Sequence, residues 1–145
     1  MHQVKHSAIV PYSCEAMYHL VNDVKSYPEF IPHCSKTEIH EHTPNHMKAT
    51  IYLKKGPFSY SFTTQNTCHF PHQIYLELLE GPFSSLKGHW QFDPLGDPLN
   101  PACKVSLELK FSIKNSLLNH AFAKLFDSLA NQMLDAFCQR AAKQN

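Results

Sequence analysis

Glycine is scarce in this sequence. Four glycines occur in 145 residues, and they never cluster into the short run that a phosphate-cradling loop requires. Charge is scarce too: 17% of residues are charged and the formal net charge is +1 with His neutral. No global field therefore draws the chain to nucleic acid or an anionic membrane. A local basic patch stays compatible with that total, and the eleven His add positive charge as pH falls. Paired cysteines are absent. The five Cys stand alone at 14, 34, 68, 103 and 138, with no CxxC and no secretory leader pattern at the start. That usage reads as reduced thiols in a cytoplasmic protein. No apolar run approaches the ~18 residues of a membrane span, so any membrane contact is expected to be peripheral, at the inner membrane.

What is present is a 43% hydrophobic chain, long enough to close a core without disulfides or metal. It is expected to form one domain over residues 1–145. Residues 3–10 read as a strand closed by Pro11. Ser13 then suits the N-cap of a helix to about Val24, because Ala16, Met17, Leu20, Val21 and Val24 recur at spacings of three and four. Pro28 suits the first turn of a short second helix and Pro32 its end. Tyr27, Phe30 and Ile31 would pack that helix on a sheet edge.

Strands follow. Ala49, Ile51 and Leu53 alternate with polar neighbours, then Lys55-Gly56-Pro57 turns the chain. Phe58, Tyr60, Phe62 and Thr64 share the next inward face. Ile74, Leu76 and Leu78 form another, and Glu77 opposite them should be exposed. Leu86, Gly88, Trp90 and Phe92 continue the pattern, as do Val105, Leu107, Leu109 and Phe111. Residues 94–101, with three prolines and a glycine, read as a loop. Period two with one polar face describes antiparallel strands wet on one side.

From about Asn115 to Lys143 there is neither Pro nor Gly. Leu118, Phe122, Leu125, Leu129, Met133 and Ala136 fall in one arc of a helix, flanked by Phe126 and Phe137. The order predicts an α+β fold: a curved antiparallel sheet wrapped around a long C-terminal helix. The inward residues are large and aromatic, with Gly88 and Ala49 interspersed. That mixture fits either a filled core or a lined pocket.

Reactive constellations are thin. His40, His42 and His46 surround a Thr-Pro-Asn turn, but zinc sites space their ligands in tighter pairs, so no metal is expected. Cys34 neighbours His33, yet adjacent residues of an extended segment point opposite ways. The twelve acids are spread singly, so no acid–base pair is visible and no catalytic residue is assigned. Arg140 shares the helix arc with Phe122, Leu129 and Met133. It suits either the helix C-terminus or the mouth of a pocket, as a donor to a ligand head group.

Several blocks resemble the START-like coenzyme Q-binding family. They are Ser7-Ala-Ile-Val-Pro-Tyr-Ser13, Leu20-Val-Asn-Asp-Val24, Tyr27-Pro-Glu-Phe-Ile-Pro-His-Cys34, Gly81-Pro-Phe-Ser-Ser-Leu-Lys-Gly-His-Trp-Gln-Phe92 and Phe137-Cys-Gln-Arg-Ala141. They run in order over nearly the whole chain. A typical member carries Trp where this chain has His33. The resemblance implies the helix-grip fold and, first, non-enzymatic binding of a polyisoprenoid quinone such as ubiquinone, in support of respiration. The quinone would lie in an apolar cavity between sheet and helix. Phe30, Phe62, Leu78, Phe83, Trp90 and Phe92 are expected in its wall. Phe111, Phe122, Phe126, Leu129, Met133 and Arg140 complete it. The bacterial branch of the family implies a second function, a toxin paired with an antitoxin that binds the large ribosomal subunit and blocks subunit association. Lys48, Lys54, Lys55 and Lys87 are the candidate RNA contacts for that reading. A polyketide cyclase-like enzyme, implied by an older family name, comes third.

Overall fold

The structure, a computed structural model, describes residues 2–114 and 119–144. Strand β1 (His2–Val10) leads into helix α1 (Cys14–Asn22) and a 3-10 helix (Val24–Glu29). Six strands follow: β2 (Cys34–Thr43), β3 (His46–Lys55), β4 (Phe58–His69), β5 (Gln73–Glu80), β6 (Phe83–Asp97) and β7 (Asn100–Ile113). Helix α2 (His120–Gln144) ends the fold. The strands form one antiparallel sheet in the order β1-β7-β6-β5-β4-β3-β2.

Local chemistry accounts for the element ends. Ser13 Oγ accepts a hydrogen bond from the Ala16 N–H at 3.1 Å and caps α1. The helix stops at Asn22, short of the expected Val24, and Asp23 joins it to the 3-10 turn. The second helix is therefore 3-10, and Pro28 lies near its end instead of in its first turn. The Tyr27 hydroxyl donates to the Val21 carbonyl and ties this turn to α1.

Residues 94–101 are a paired hairpin, not a loop: Pro94 opposes Cys103, Gly96 opposes Pro101 and Asp97 opposes Asn100. Beyond Gln91 no β5 residue pairs with β6, and beyond Cys103 no β1 residue pairs with β7. Both prolines thus sit on free edges, where a missing N–H breaks no ladder bond. Gly96 takes φ +72 at the turn, and Asp97 Oδ1 accepts from the N–H groups of Leu99 and Asn100, each at 2.9 Å.

The inward register matches the sequence pattern. One concave face carries Met47, Ala49, Ile51 and Leu53 beside Tyr60, Phe62, Thr64 and Asn66. It continues through Ile74, Leu76, Trp90, Phe92, Val105 and Leu107. Helix α2 lies under this face, nearest β1 and β7. Its buried stripe is Phe122, Leu125, Phe126, Leu129, Ala130, Leu134, Phe137 and Ala141. The stripe is rotated from the expected arc. Phe126 and Phe137, placed at its flank, are buried, whereas Met133 and Ala136 are half-buried. Asn115 and Leu118 lie outside the described residues.

Candidate functional site

The concave face is not filled evenly. A cavity of about 60 Å³ lies between sheet and helices. Strands β3, β4 and β5 supply Ala49, Ile51, Phe62, Thr64, Asn66, Ile74 and Leu76. Val21, Asn22, Val24 and Tyr27 close it from α1 and the 3-10 turn, and Phe126 and Met133 from α2. Leu86, Trp90 and Leu109 form the remaining wall. A buried water needs roughly 10–15 Å³ of such space, so the cavity holds about four to six waters. That is the room of a single small ring, well short of the ~300 Å³ or more of a drug-sized site.

Of the residues expected from sequence, Phe62, Trp90, Phe126 and Met133 reach this cavity. Phe83, Phe92, Phe111, Phe122 and Leu129 do not line it; they are fully buried core. Leu78 packs against the core, also away from the cavity. Phe30 and Arg140 line a separate surface cleft. There Arg140 Nη2 donates to Glu29 Oε1 at 2.7 Å, and the guanidinium lies 5.0 Å from the centre of the Phe30 ring. Neither the helix terminus nor the cavity claims Arg140; it clasps the 3-10 turn to α2.

The cavity has one polar end that sequence reasoning missed. Thr64 and Asn66 are 7% and 6% exposed, on the inward register of β4. Thr64 Oγ1 donates to Asn66 Oδ1 at 3.0 Å. Two residues further on the same face, the Cys68 thiol donates to Asn22 Oδ1 at 3.7 Å. A signal existed in the sequence. The alternation that puts Tyr60 and Phe62 inward continues through Thr64 to Asn66, polar residues at buried positions, while Phe58 at the strand's start is exposed. The wall is otherwise uncharged. Burial pushes the Tyr27 hydroxyl far above its ordinary value and also raises the Cys68 thiol, so both stay neutral.

The other constellations disperse. His40 Nε2 is 2.7 Å from Thr50 Oγ1 and His46 faces Glu41 at 3.6 Å. No three His, Cys, Asp or Glu side chains converge as metal ligands among the described residues. Burial pushes the Cys34 thiol up to about 11, while His33 is exposed at a positive φ of 64°. Lys48, Lys54 and Lys87 sit on the convex face, but Lys55 is on the opposite register beside the groove that also holds Lys124. One cross-strand row reads Lys48, Gln65, Glu77, Lys87, Lys110. Glu77 therefore interrupts the basic row.

A seven-stranded antiparallel sheet curved over a C-terminal helix is the START-like helix grip. By sequence the chain belongs to the polyketide cyclase / dehydrase and lipid transport family, which matches residues 10–138. It is 43% identical over 141 residues to the ribosome association toxin RatA of Escherichia coli K12, covering 97% of this chain and 87% of that protein. It is 27% identical over 138 residues to the mitochondrial coenzyme Q-binding protein COQ10 of Drosophila melanogaster, covering 94% of this chain and 57% of that protein. A START superfamily protein from Mycobacterium smegmatis superposes with a TM-score of 0.79 at 20% identity, all of both chains being covered. The ZhuI aromatase/cyclase from Streptomyces sp. R1128 gives 0.83 at 15% identity, covering 99% of this chain and 94% of that one. At such identities these two structures share the fold alone. No helix among the described residues is long and apolar enough to cross a membrane.

Proposed function

We propose that this chain acts as a ribosome association toxin, binding the large ribosomal subunit and preventing it from joining the small one. The observation that carries this reading is the 43% identity to RatA across 97% of the chain, against 27% to the coenzyme Q-binding relative. The contact to RNA is proposed on the convex face through Lys48, Lys54 and Lys87, and an antitoxin would compete for the chain. Sedimentation with purified large subunits tests the reading. Binding is expected at low salt, weakening as salt rises because each neutralised phosphate releases counterions. Lys48→Glu, Lys54→Glu and Lys87→Glu together should abolish it. Absence of co-sedimentation at low salt sinks the reading, and binding that survives the triple change moves the contact elsewhere.

A second reading is favoured by the cavity itself: binding of a hydrophobic ligand, ubiquinone or a similar lipid. Its walls are apolar except at one end, as a lipid site requires, and Trp90 lies in the wall as a built-in reporter. Quinone analogues of increasing tail length should quench Trp90 fluorescence saturably. A flat titration removes this reading.

A further inference from the structure

We propose that the ring pair of Tyr75 and His89 on the convex face stacks one unpaired RNA base, with Lys87 and Lys110 beside it on the backbone phosphates. This inference rests on the ribosome-binding reading and names what the face takes from the RNA: an unpaired nucleotide, not a duplex. Tyr75 of β5 lies directly opposite His89 of β6, and their rings stack at 4.4 Å with 2° between their planes. Tyr75 is 39% exposed, a large ring left open in the middle of a wet sheet face. On its β4 side His69 meets it edge-on at 6.0 Å, which closes that end of the stack. His89 meets no second ring towards β7 among the described residues, so the other end is open. The open end is a shallow hollow of about 240 Å³ lined by Tyr75, Lys87, Gly88, His89, Glu108 and Lys110. One buried polar atom there, His89 Nε2, has no hydrogen-bond partner among the described residues.

Lys87 and Lys110 face each other directly across β6 and β7. Like charges so placed repel until an anion comes between them. Lys87 forms no ion pair among the described residues, and Glu77, opposite it on β5, accepts instead from Gln65 Nε2 at 3.4 Å. Lys110 Nζ is 3.4 Å from Glu108 Oε1, but the Lys110 side chain is 53% exposed and solvent screens the pair. Glu108 Oε1 also accepts from Gln3 Nε2 at 3.5 Å. Unpaired RNA is held by stacking bases on rings of an open sheet face while basic side chains follow the backbone. A duplex hides its base faces, so it could use the lysines but not the rings. Here a base would lie against the open side of His89, and a flanking phosphate between the two lysines would relieve their repulsion.

The test uses the full chain and purified large ribosomal subunits, with affinity measured by co-sedimentation across a salt series. Tyr75→Leu and His89→Leu each remove a ring and leave the lysines in place. Each should weaken binding by about five- to 150-fold, the range for one stacked base, and Tyr75→Leu should leave the salt slope unchanged. Lys87→Gln with Lys110→Gln should instead make the slope of log affinity against log salt shallower by about 0.7 per lysine. Ultraviolet crosslinking of the unaltered chain on the subunit should place a nucleotide adduct on Tyr75 or His89, a readout that stands if a variant fails to fold. Full binding by both ring variants, or adducts confined to other strands, overturns the inference and leaves the ribosome reading intact. If the unaltered chain does not co-sediment at low salt, both fall.

Discussion

The two sides of the sheet use their inward positions differently. Towards β6 and β7 most are large and apolar, Leu86, Trp90, Phe92, Val105, Leu107 and Phe111, with Gly88 between Leu86 and Trp90, and Leu86, Trp90 and Leu109 reach the edge of the cavity. Towards β3 and β4 they include Ala49, Thr64 and Asn66, small or polar. Phe83 is the hub of the filled side. Its ring meets Phe126 at 4.8 Å, Phe122 at 5.2 Å, Phe62 at 5.6 Å and Phe111 at 6.3 Å, all edge to face. Such pairs add to the burial of the rings themselves. Helix α2 lies nearest β1 and β7, and the void opens where β3 and β4 present short side chains. Periodicity marks both sides as inward. Side-chain volume and polarity decide which one is filled.

The largest expected effect tests this contrast along a single helix. Phe122 is fully buried among Tyr60, Phe83 and Phe126, whereas Met133 is half-buried at the cavity wall. Phe122→Ala should cost about 3–5 kcal/mol in urea unfolding, the range for a large ring removed from a close-packed core. Met133→Ala should cost less than about 2 kcal/mol, since part of its surroundings is already empty. Equal losses would mean that the void is filled in solution.

Two glycines sharpen the same comparison. A Cβ on Gly81 would sit 2.7 Å from Phe62 Cβ, and its φ of +149° resists a side chain. Gly81→Ala should cost about 2–3 kcal/mol. A Cβ on Gly88 would sit 2.6 Å from Leu109 Cδ2 and 2.9 Å from Leu76 Cδ1. Both are tips of flexible side chains that line the cavity, so they can move into it. Gly88→Ala should therefore cost only about 1 kcal/mol, at the low end for overpacking. Quinone quenching of Trp90 should weaken at the same time, because the void shrinks. A Gly88→Ala loss as large as that of Gly81→Ala would show that the leucines have nowhere to go.

Much of the architecture was legible in the sequence. Alternation gave the faces of β3 to β7, Ser13 gave the start of α1, and the stretch free of Pro and Gly gave the long helix. Three features escaped for identifiable reasons. Pro94 and Pro101 look like loop formers until it is known that both lie beyond the neighbouring strands, where a missing N–H is harmless. The stripe on α2 was placed one flank away because Phe126 and Phe137, not Met133 and Ala136, point at the sheet. Arg140 shares a helical arc with cavity residues, but a helix this long passes beyond the cavity, and its last turns meet the 3-10 turn instead. Which inward aromatics line the cavity stays hidden in the sequence for a related reason. An inward ring reads the same in sequence whether it faces a neighbour or a void, so Phe83, Phe92, Phe111 and Phe122 could not be separated from Phe62 and Trp90. The polar end was visible in principle, as Thr64 and Asn66 continuing an apolar face.

The smallest expected effect concerns what holds the hollow side shut. The 3-10 turn carries Tyr27 into the cavity wall and, with Phe30 just after it, is fixed to α2 by four side-chain contacts. Tyr27 and Phe30 meet the Phe137 ring at 5.4 and 5.3 Å, and Arg140 bonds Glu29 at 2.7 Å. The Glu29 side chain is 60% exposed, so its ion pair is largely screened by solvent. The Arg140 stack on Phe30 adds a similarly small amount at a partly exposed site. Arg140→Met keeps a flexible apolar stem and should lower global stability by less than about 1 kcal/mol. Local opening is a more sensitive readout than global unfolding, because a segment held by few contacts opens independently of the core. The Phe30 and Ile31 amides, which both donate to the Tyr27 carbonyl, should exchange with deuterium faster in Arg140→Met. The amides of β7 should not change, since that strand lies on the filled side. Acceleration confined to the 3-10 turn would identify Arg140 as its clasp. Unchanged exchange there would assign the hold on α2 to the Phe137 ring contacts, and Phe137→Leu should then produce the opening that Arg140→Met does not.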